Sequence, residues 1–118
     1  MQHQVTAADT AAAVGSGDVP VLATPRLIAW LEAATVAAAA PHLKPGQTTV
    51  GISIRIDHTR PSAVGTLVRT IAEAHPHDSG RRISFSVNAV DDTGQTIGNG
   101  EIIRAIVDRD RFVSSIRA

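Results

Sequence analysis

The 118-residue sequence contains no cysteine and no tyrosine, and aromatic residues make up only 3% of it. Without cysteine, the chain has no disulfide bond, no catalytic thiolate and no cysteine-ligated zinc. We therefore expect a reducing compartment and a cytoplasmic location. The aromatic residues, Trp30, Phe85 and Phe112, are too few to form a platform on which the bases of a single-stranded nucleic acid stack.

The chain also lacks an excess of charge of either sign, since 11 Lys and Arg residues balance 11 Asp and Glu residues. A neutral chain has no overall field that attracts nucleic acid or an anionic membrane. No apolar run approaches the roughly 20 residues of a membrane-spanning helix. The alanine-rich start lacks a basic region and contains Asp9, which argues against a signal peptide. The length predicts a single domain covering residues 1–118, with neither a nucleic acid nor a membrane as partner.

The clearest local signal is an alanine-rich segment between two prolines. Thr24 followed by Pro25 is typical of a helix start, with Thr24 as the N-cap. The segment then continues without a helix-breaking residue to Pro41 and carries only Arg26 and Glu32 as charged residues. A helix that is apolar on nearly all sides belongs in the interior of a fold.

Beyond Pro41 the apolar period changes from that of a helix to that of a strand. Alternation predicts four strands, near residues 48–58, 66–75, 82–90 and 95–108. In the first of them the parity places His58 on the apolar face and Gly51 on the opposite face. In the last, Gly98 and Gly100 predict bulges or close backbone approach. Short turns between consecutive strands predict an antiparallel sheet, and one helix against one sheet is an α+β architecture.

Glu32 is a candidate for acid–base chemistry because it lies in the middle of the predicted helix. If a sheet covers this part of the helix, the carboxylate is partly buried, which raises the pKa of such a group. If Glu32 lies on an exposed edge of the helix, it is simply solvated. The sequence alone leaves both interpretations open.

His58 and Thr24 each have a functional and an ordinary interpretation as well. An imidazole facing a helix that contains Glu32 is suited to an acid–base pair, but His58 could equally hydrogen-bond a loop at the strand end. The Thr24 hydroxyl could act only as a cap, or it could lie where free helix N–H groups stabilise an oxyanion. His75 and His77 lack a third metal ligand nearby in sequence, so we predict no metal site.

Four stretches resemble one known family in residue type and spacing. They are VLATP leading into LIAWLEAATVAAAAPHLKPGQTTVG, then ISIRIDHTRPSAVG, GRRISFSVNAVDDTGQTIGNG and EIIRAIVDRDRF. Together they resemble the fluoroacetyl-CoA thioesterase type of hotdog protein. The resemblance implies a hotdog fold, in which a curved antiparallel sheet wraps one long buried helix. It also implies an acyl-CoA thioesterase that releases a free acid and CoA, with no bound cofactor, working as a homodimer or a higher oligomer.

The resemblance further implies which residues form the site. Thr24, Glu32 and His58 match the Thr, Glu and His that the family uses in catalysis. Gly51 matches a glycine against which acyl groups pack. Trp30, among small apolar residues, suggests a pocket for short or medium acyl groups. The phosphates of CoA need cations, for which Arg60, Arg81 and Arg82 are candidates, although turn arginines are commonly just solvated.

One stretch departs from the family's pattern. The specialised member has a lid with phenylalanines shortly before the Thr, whereas residues 14–20 here read VGSGDVP and contain no aromatic residue. The resemblance therefore implies thioesterase chemistry without fluoroacetyl selectivity. An acyl-enzyme route and direct attack by water both remain open. Two other functions also remain open, which are an acyl-CoA hydratase or dehydratase and a non-catalytic hotdog protein that binds acyl-CoA or another small ligand.

Overall fold

The computed structural model describes residues 1–117, which form a five-stranded antiparallel sheet and one long helix. The strands are β1 (Gln2–Gln4), β2 (Gln47–His58), β3 (Leu67–Pro76), β4 (Arg82–Asp91) and β5 (Thr96–Asp108). The helices are α1 (Ala11–Val14), α2 (Thr24–Ala39) and α3 (Arg109–Arg117), with 3₁₀ turns at Ala7–Asp9 and Ala40–His42. Within residues 1–117, no helix combines the length and the apolar character needed to cross a membrane.

The sheet curls around α2. Its strand order is β1-β3-β4-β5-β2, so β1 and β2 are the two edges. Helix α2 contacts each of the four long strands, which places the sheet around one side of the helix. Both the predicted α+β architecture and the predicted long helix are confirmed.

The core lies between α2 and the concave face of the sheet. In β4 the alternating residues are buried, as the sequence pattern predicts, and they are Ile83, Phe85, Val87 and Ala89. The helix contributes side chains at helical spacing, which are Leu27, Leu31, Ala34, Thr35 and Ala39. The opposite side of α2 is also apolar, and Val36 on that side is 52% exposed in the single chain.

A β-bulge at Ile52 changes which side chains of β2 face the helix. Before it, Gly51 pairs with Arg104 of β5, and after it Ser53 pairs with Ile103, so Ile52 is an extra residue. Because strand side chains alternate, one extra residue exchanges the two faces. Gly51 and His58 therefore both face α2, and the prediction that they lie on opposite faces is wrong.

Two glycines of β5 allow the close approach that the sequence predicts. A Cβ at Gly98 would lie 2.9 Å from Cδ2 of Leu27, and one at Gly100 would collide with the carbonyl oxygen of Arg55. Glycine at these positions lets α2 and β2 pack directly against the backbone of β5. The close packing brings the start of α2 next to the end of β2.

The start of α2 differs from the prediction by one residue. Ala23 is the N-cap and has extended backbone, whereas Thr24 is the first helical residue. Thr24 therefore does not cap the helix with its hydroxyl, and the predicted N-cap role is wrong. The hydroxyl has a different partner on β2.

Candidate active site

Thr24 and His58 form a hydrogen-bonded pair where α2 begins and β2 ends. The Oγ1 atom of Thr24 lies 2.8 Å from Nδ1 of His58. Depending on the tautomer of the ring, the hydroxyl donates to Nδ1 or Nδ1–H donates to the hydroxyl. This contact joins residues 34 positions apart and fixes the direction of the imidazole ring.

The surroundings of His58 favour its neutral form. Burial lowers the pKa of His58 below its ordinary value of 6.5, and the backbone of Arg60 offsets part of that effect. The Nε2 atom of His58 is shielded from solvent and has no hydrogen-bond partner among residues 1–117. A neutral imidazole near physiological pH can accept a proton, as a general base must.

A cleft of about 320 Å³ opens over this pair. Its walls include Arg60 and the loop of residues 16–19, which connects α1 to the segment before α2. That loop holds Ser16, Gly17 and Asp18, and the cleft is lined by no aromatic ring other than that of His58. The stretch that departs from the family's pattern in sequence thus forms one wall of the cleft.

A second cluster lies further along α2 and has Glu32 as its centre. The Nη1 atom of Arg104, on β5, is 3.3 Å from Oε2 of Glu32, and the Glu32 side chain is 35% exposed against 9% for Arg104. Arg104 also donates from Nε to Oγ1 of Thr49 at 2.8 Å and from Nη2 to the Thr49 carbonyl at 3.2 Å. Glu32 is therefore half-buried and ion-paired, which combines elements of both sequence interpretations.

Arg104 is not among the site residues predicted from the sequence. One signal was present, because Arg104 follows Ile102 and precedes Ile106 on the alternating face of β5 that points to the core. A cation at a core-facing position needs an anionic partner, and in this chain Glu32 is that partner.

Gly51 lies against this ion pair. A Cβ at this position would be 3.1 Å from Oε2 of Glu32 and 3.4 Å from Nη1 of Arg104. Because Gly51 is directly opposite Arg104 in the sheet, its missing side chain leaves the space that the arginine crosses. Gly51 and Glu32, which were both predicted as site residues, are thus brought together.

The two clusters are separate within one chain. Glu32 follows Thr24 by eight positions in the chain, which corresponds to about 12 Å along a helix. The predicted His58–Glu32 pair is not formed, because His58 bonds to Thr24 and Glu32 bonds to Arg104.

Of the other two predicted substrate-binding residues, one lines the cleft and one lies away from it. Arg60 lines the cleft next to His58. The ring of Trp30 stacks on that of His3, with centroids 4.5 Å apart, and so lies against the β1 side of the fold. A contact between Trp30 and substrate stays a prediction, and we leave Trp30 out of the proposed site.

The arrangement supplies the groups that acyl transfer from a thioester needs. One cluster offers a neutral imidazole held by a hydroxyl at a helix N-terminus, and the other offers a carboxylate held by a guanidinium. The helix enclosed by a curled sheet is the hotdog fold, which this chain shares with solved proteins of the thioesterase superfamily.

Sequence comparison narrows this class to one family. The profile of the fluoroacetyl-CoA-specific thioesterase family matches residues 5–110, a range that contains both clusters. The chain belongs to that family and is a thioester hydrolase. It is 35% identical over 97 residues to the fluoroacetyl-CoA thioesterase of Streptantibioticus cattleyicolor, an alignment covering 82% of this chain and 68% of the relative. Membership of this family favours hydrolysis over the two alternatives, which are a hydratase or dehydratase and a non-catalytic binding protein.

Solved structures agree with this assignment. The fluoroacetyl-CoA thioesterase FlK superposes with a TM-score of 0.88 at 30% identity, covering 99% of this chain and 90% of that one. A Thermus thermophilus hypothetical protein of the thioesterase superfamily superposes with a TM-score of 0.89 at 25% identity, covering 99% and 85% of the two chains. The predicted family and hotdog fold are confirmed.

Proposed function

We propose that the protein hydrolyses short or medium acyl-CoA thioesters through Thr24, His58 and Glu32. The observation that carries this proposal is the 2.8 Å contact between the Thr24 hydroxyl and the His58 ring beneath an open cleft. Its support from the comparisons is membership of a family of thioesterases. The substrate is the thioester of CoA, so CoA leaves as a product and is not a resident cofactor.

In the proposed reaction, the attacking water passes a proton through the Thr24 hydroxyl to Nδ1 of His58 as the water oxygen bonds to the carbonyl carbon. The carbon–sulfur bond then breaks, and the departing sulfur receives the proton that His58 took up, so that free acid and CoA result and the imidazole is neutral again. Thr24 orients the imidazole, and Glu32 provides a negative charge that favours the protonated ring during the step. Attack by the Glu32 carboxylate itself is the alternative route, in which the CoA thiolate leaves and a mixed anhydride of Glu32 and the acyl group is then hydrolysed. Labelled water would place its oxygen in Glu32 when it attacks the Glu32 carbon of that anhydride.

The start of α2 offers donors for the oxyanion that forms on the carbonyl oxygen. Pro25 has no N–H, and Leu27 donates to the carbonyl of Ala23. The helical hydrogen-bond pattern therefore leaves the N–H groups of Thr24 and Arg26 without an intrahelical acceptor. We assign the oxyanion to this end of the helix, beside the Thr24–His58 pair.

The Thr24–His58 pair is tested by two substitutions at Thr24. Thr24→Val removes the hydroxyl and keeps the shape, so we expect kcat for acetyl-CoA to fall by about 10²-fold. Thr24→Ser keeps the hydroxyl and should retain most of the activity. Equal activity of the valine and serine variants would contradict a role for the hydroxyl, once both are shown to be folded.

We further propose that a homodimer completes the site. Strand β2 is an edge strand, and Ile52 and Ile54 on it are 46% and 40% exposed. Val36 on the uncovered side of α2 is 52% exposed, so one chain presents an apolar helix face beside an unpaired edge. A second copy that covers this surface would place its Glu32 cluster near the Thr24–His58 pair of the first copy and bridge the separation of about 12 Å.

Mixed dimers test this shared site. His58→Ala and Glu32→Ala chains are each expected to be inactive alone. If the two residues act across the interface, a mixed dimer retains one site with both residues intact, so an equal mixture recovers about a quarter of wild-type turnover. If both residues act within one chain, the mixture stays inactive, and that outcome would rule out the shared site.

We also propose that the enzyme does not prefer fluoroacetyl-CoA to acetyl-CoA. The cleft wall formed by residues 16–19 consists of Ser16, Gly17, Asp18 and Val19 and presents no aromatic ring to the acyl group. Measured side by side, kcat/KM for fluoroacetyl-CoA and acetyl-CoA should agree within about tenfold, a difference that corresponds to about 1.4 kcal/mol. A much larger preference for the fluorinated substrate would contradict this proposal.

A further inference from the structure

Thr49 accepts two of the three hydrogen bonds that the Arg104 side chain donates within residues 1–117. Of the five N–H donors of the guanidinium, Nε–H bonds to the Thr49 side chain and one Nη2–H bonds to the Thr49 carbonyl. Two bonds from one edge of a planar group to the same residue fix both its position and its rotation. Only 9% of the Arg104 side chain is exposed, so water does not compete effectively for this edge.

The held edge leaves the other side of the guanidinium directed at Glu32. The remaining bond runs from Nη1 to Oε2 of Glu32 at 3.3 Å, which is longer than either bond to Thr49. Because Thr49 accepts two hydrogen bonds from Arg104 and Glu32 accepts one, the position of Arg104 is set mainly from the strand side, and Glu32 follows it.

The strands explain why Thr49 is in the right place. Arg104 is opposite Gly51, and Thr49 is two residues before Gly51, so the arginine and the threonine are diagonal neighbours across β2 and β5. Thr49 and Gly51 both precede the bulge in β2, and their side of the strand faces α2. Thr49 is itself only 9% exposed and is therefore closed in around its hydroxyl.

We propose that Thr49 is a positioning residue for catalysis, acting through Arg104 on the carboxylate of Glu32. The inference rests on the proposed role of Glu32 in hydrolysis. Thr49 does not itself contact the substrate. Its hydroxyl is the side-chain acceptor that holds the guanidinium so that Glu32 keeps one orientation.

Two substitutions separate positioning from packing. Thr49→Val preserves shape and removes the hydroxyl, whereas Thr49→Ser preserves the hydroxyl and removes a methyl group. For positioning, we expect kcat to fall about tenfold or more in the valine variant with little change in KM, and the serine variant to recover most of it. A packing role would produce the opposite order, with serine the worse substitution in both activity and thermal midpoint, and would overturn the proposal.

A double-mutant comparison tests the connection to Glu32. At high enzyme concentration, Thr49→Val should have little further effect on the residual hydrolysis of Glu32→Gln, because both changes remove the same contribution. An undiminished further loss would show that Thr49 acts elsewhere. If Glu32→Gln alone retains full activity, the proposed role of Glu32 fails. If Glu32→Gln is impaired but Thr49→Val equals wild type, the role of Glu32 stands and only the Thr49 proposal fails.

Discussion

Replacing Gly51 by alanine should reduce activity without reducing stability. The new Cβ would be 3.1 Å from Oε2 of Glu32 and 3.4 Å from Nη1 of Arg104, so the carboxylate must move by a few tenths of an ångström. A displacement of about 1 Å costs on the order of 10²-fold in rate, so a shift of roughly a third of that predicts a loss of about fivefold in kcat. The loss should increase with the size of the acyl group if the acyl chain occupies the same space.

Stability should respond differently to the same change. Gly51 is not among the glycines with positive φ, so alanine can adopt its backbone conformation. Alanine in a strand is favoured over glycine by roughly 0.5–1 kcal/mol, which offsets the tight contact. We therefore expect the free energy of unfolding to change by less than about 1 kcal/mol.

The assay measures free thiol released from acetyl-CoA and from a medium-chain thioester, together with urea unfolding. Ser53→Ala is the matched control, because Ser53 lies two residues further along β2, beyond the bulge, on the face turned away from α2. The control should match wild type in both measurements. Wild-type kcat for Gly51→Ala on every substrate would refute the reasoning that the position of Glu32 limits the rate.

Three further outcomes follow from other parts of the structure. Burial lowers the pKa of His58 in the folded chain, so the unfolded chain takes up this proton first as pH falls below about 6.5, and the free energy of unfolding should then decrease. Thermal midpoints measured against pH should therefore decline less steeply for the His58→Gln variant. Both proteins in this comparison carry His3→Gln, because the pKa of His3 is lowered too. Asp9 accepts hydrogen bonds from Thr6 and pairs with Arg26 at 3.2 Å, so it anchors the segment before α2. Asp9→Ala should therefore lower the free energy of unfolding in urea by about 1–3 kcal/mol and speed hydrogen exchange in residues 5–22. Unchanged exchange would contradict that anchoring role. Phe85 is fully buried in the core, so Phe85→Ala should cost about 3–5 kcal/mol in the same assay, and a cost under about 1 kcal/mol would contradict the packing described.

Much of the fold can be predicted because it depends on local patterns. The alternation around Phe85 identifies a buried strand, and the alanine-rich segment after Pro25 identifies the long helix. The Asp-Asp-Thr-Gly sequence identifies a hairpin, in which Gly94 has a φ of 82°. In each case neighbouring residues alone determine the conformation.

The features that could not be predicted depend on pairing between distant residues. The bulge at Ile52 depends on the register of β2 against β5. Gly51 beside it is compatible with a bulge, but glycine can also mark close backbone approach and does not fix which residue is the extra one. The bulge places Gly51 and His58 on the same face of the sheet. The partner of Glu32 is likewise decided by the sheet, since Arg104 is 72 residues away in the chain. The exposure of Ile54, on a strand whose pattern indicates a buried face, follows from its place on an unpaired edge.

The central claim is that Thr24, His58 and Glu32 hydrolyse acyl-CoA thioesters. The most direct measurement follows free thiol from a panel of thioesters, from acetyl through medium-chain acyl groups to one aromatic group, for wild type, His58→Ala and Glu32→Ala, each shown to be folded. We expect wild type to turn over the shorter acyl groups and both variants to lose on the order of 10²–10⁴ in rate. Turnover that persists unchanged in either folded variant would contradict the proposed site.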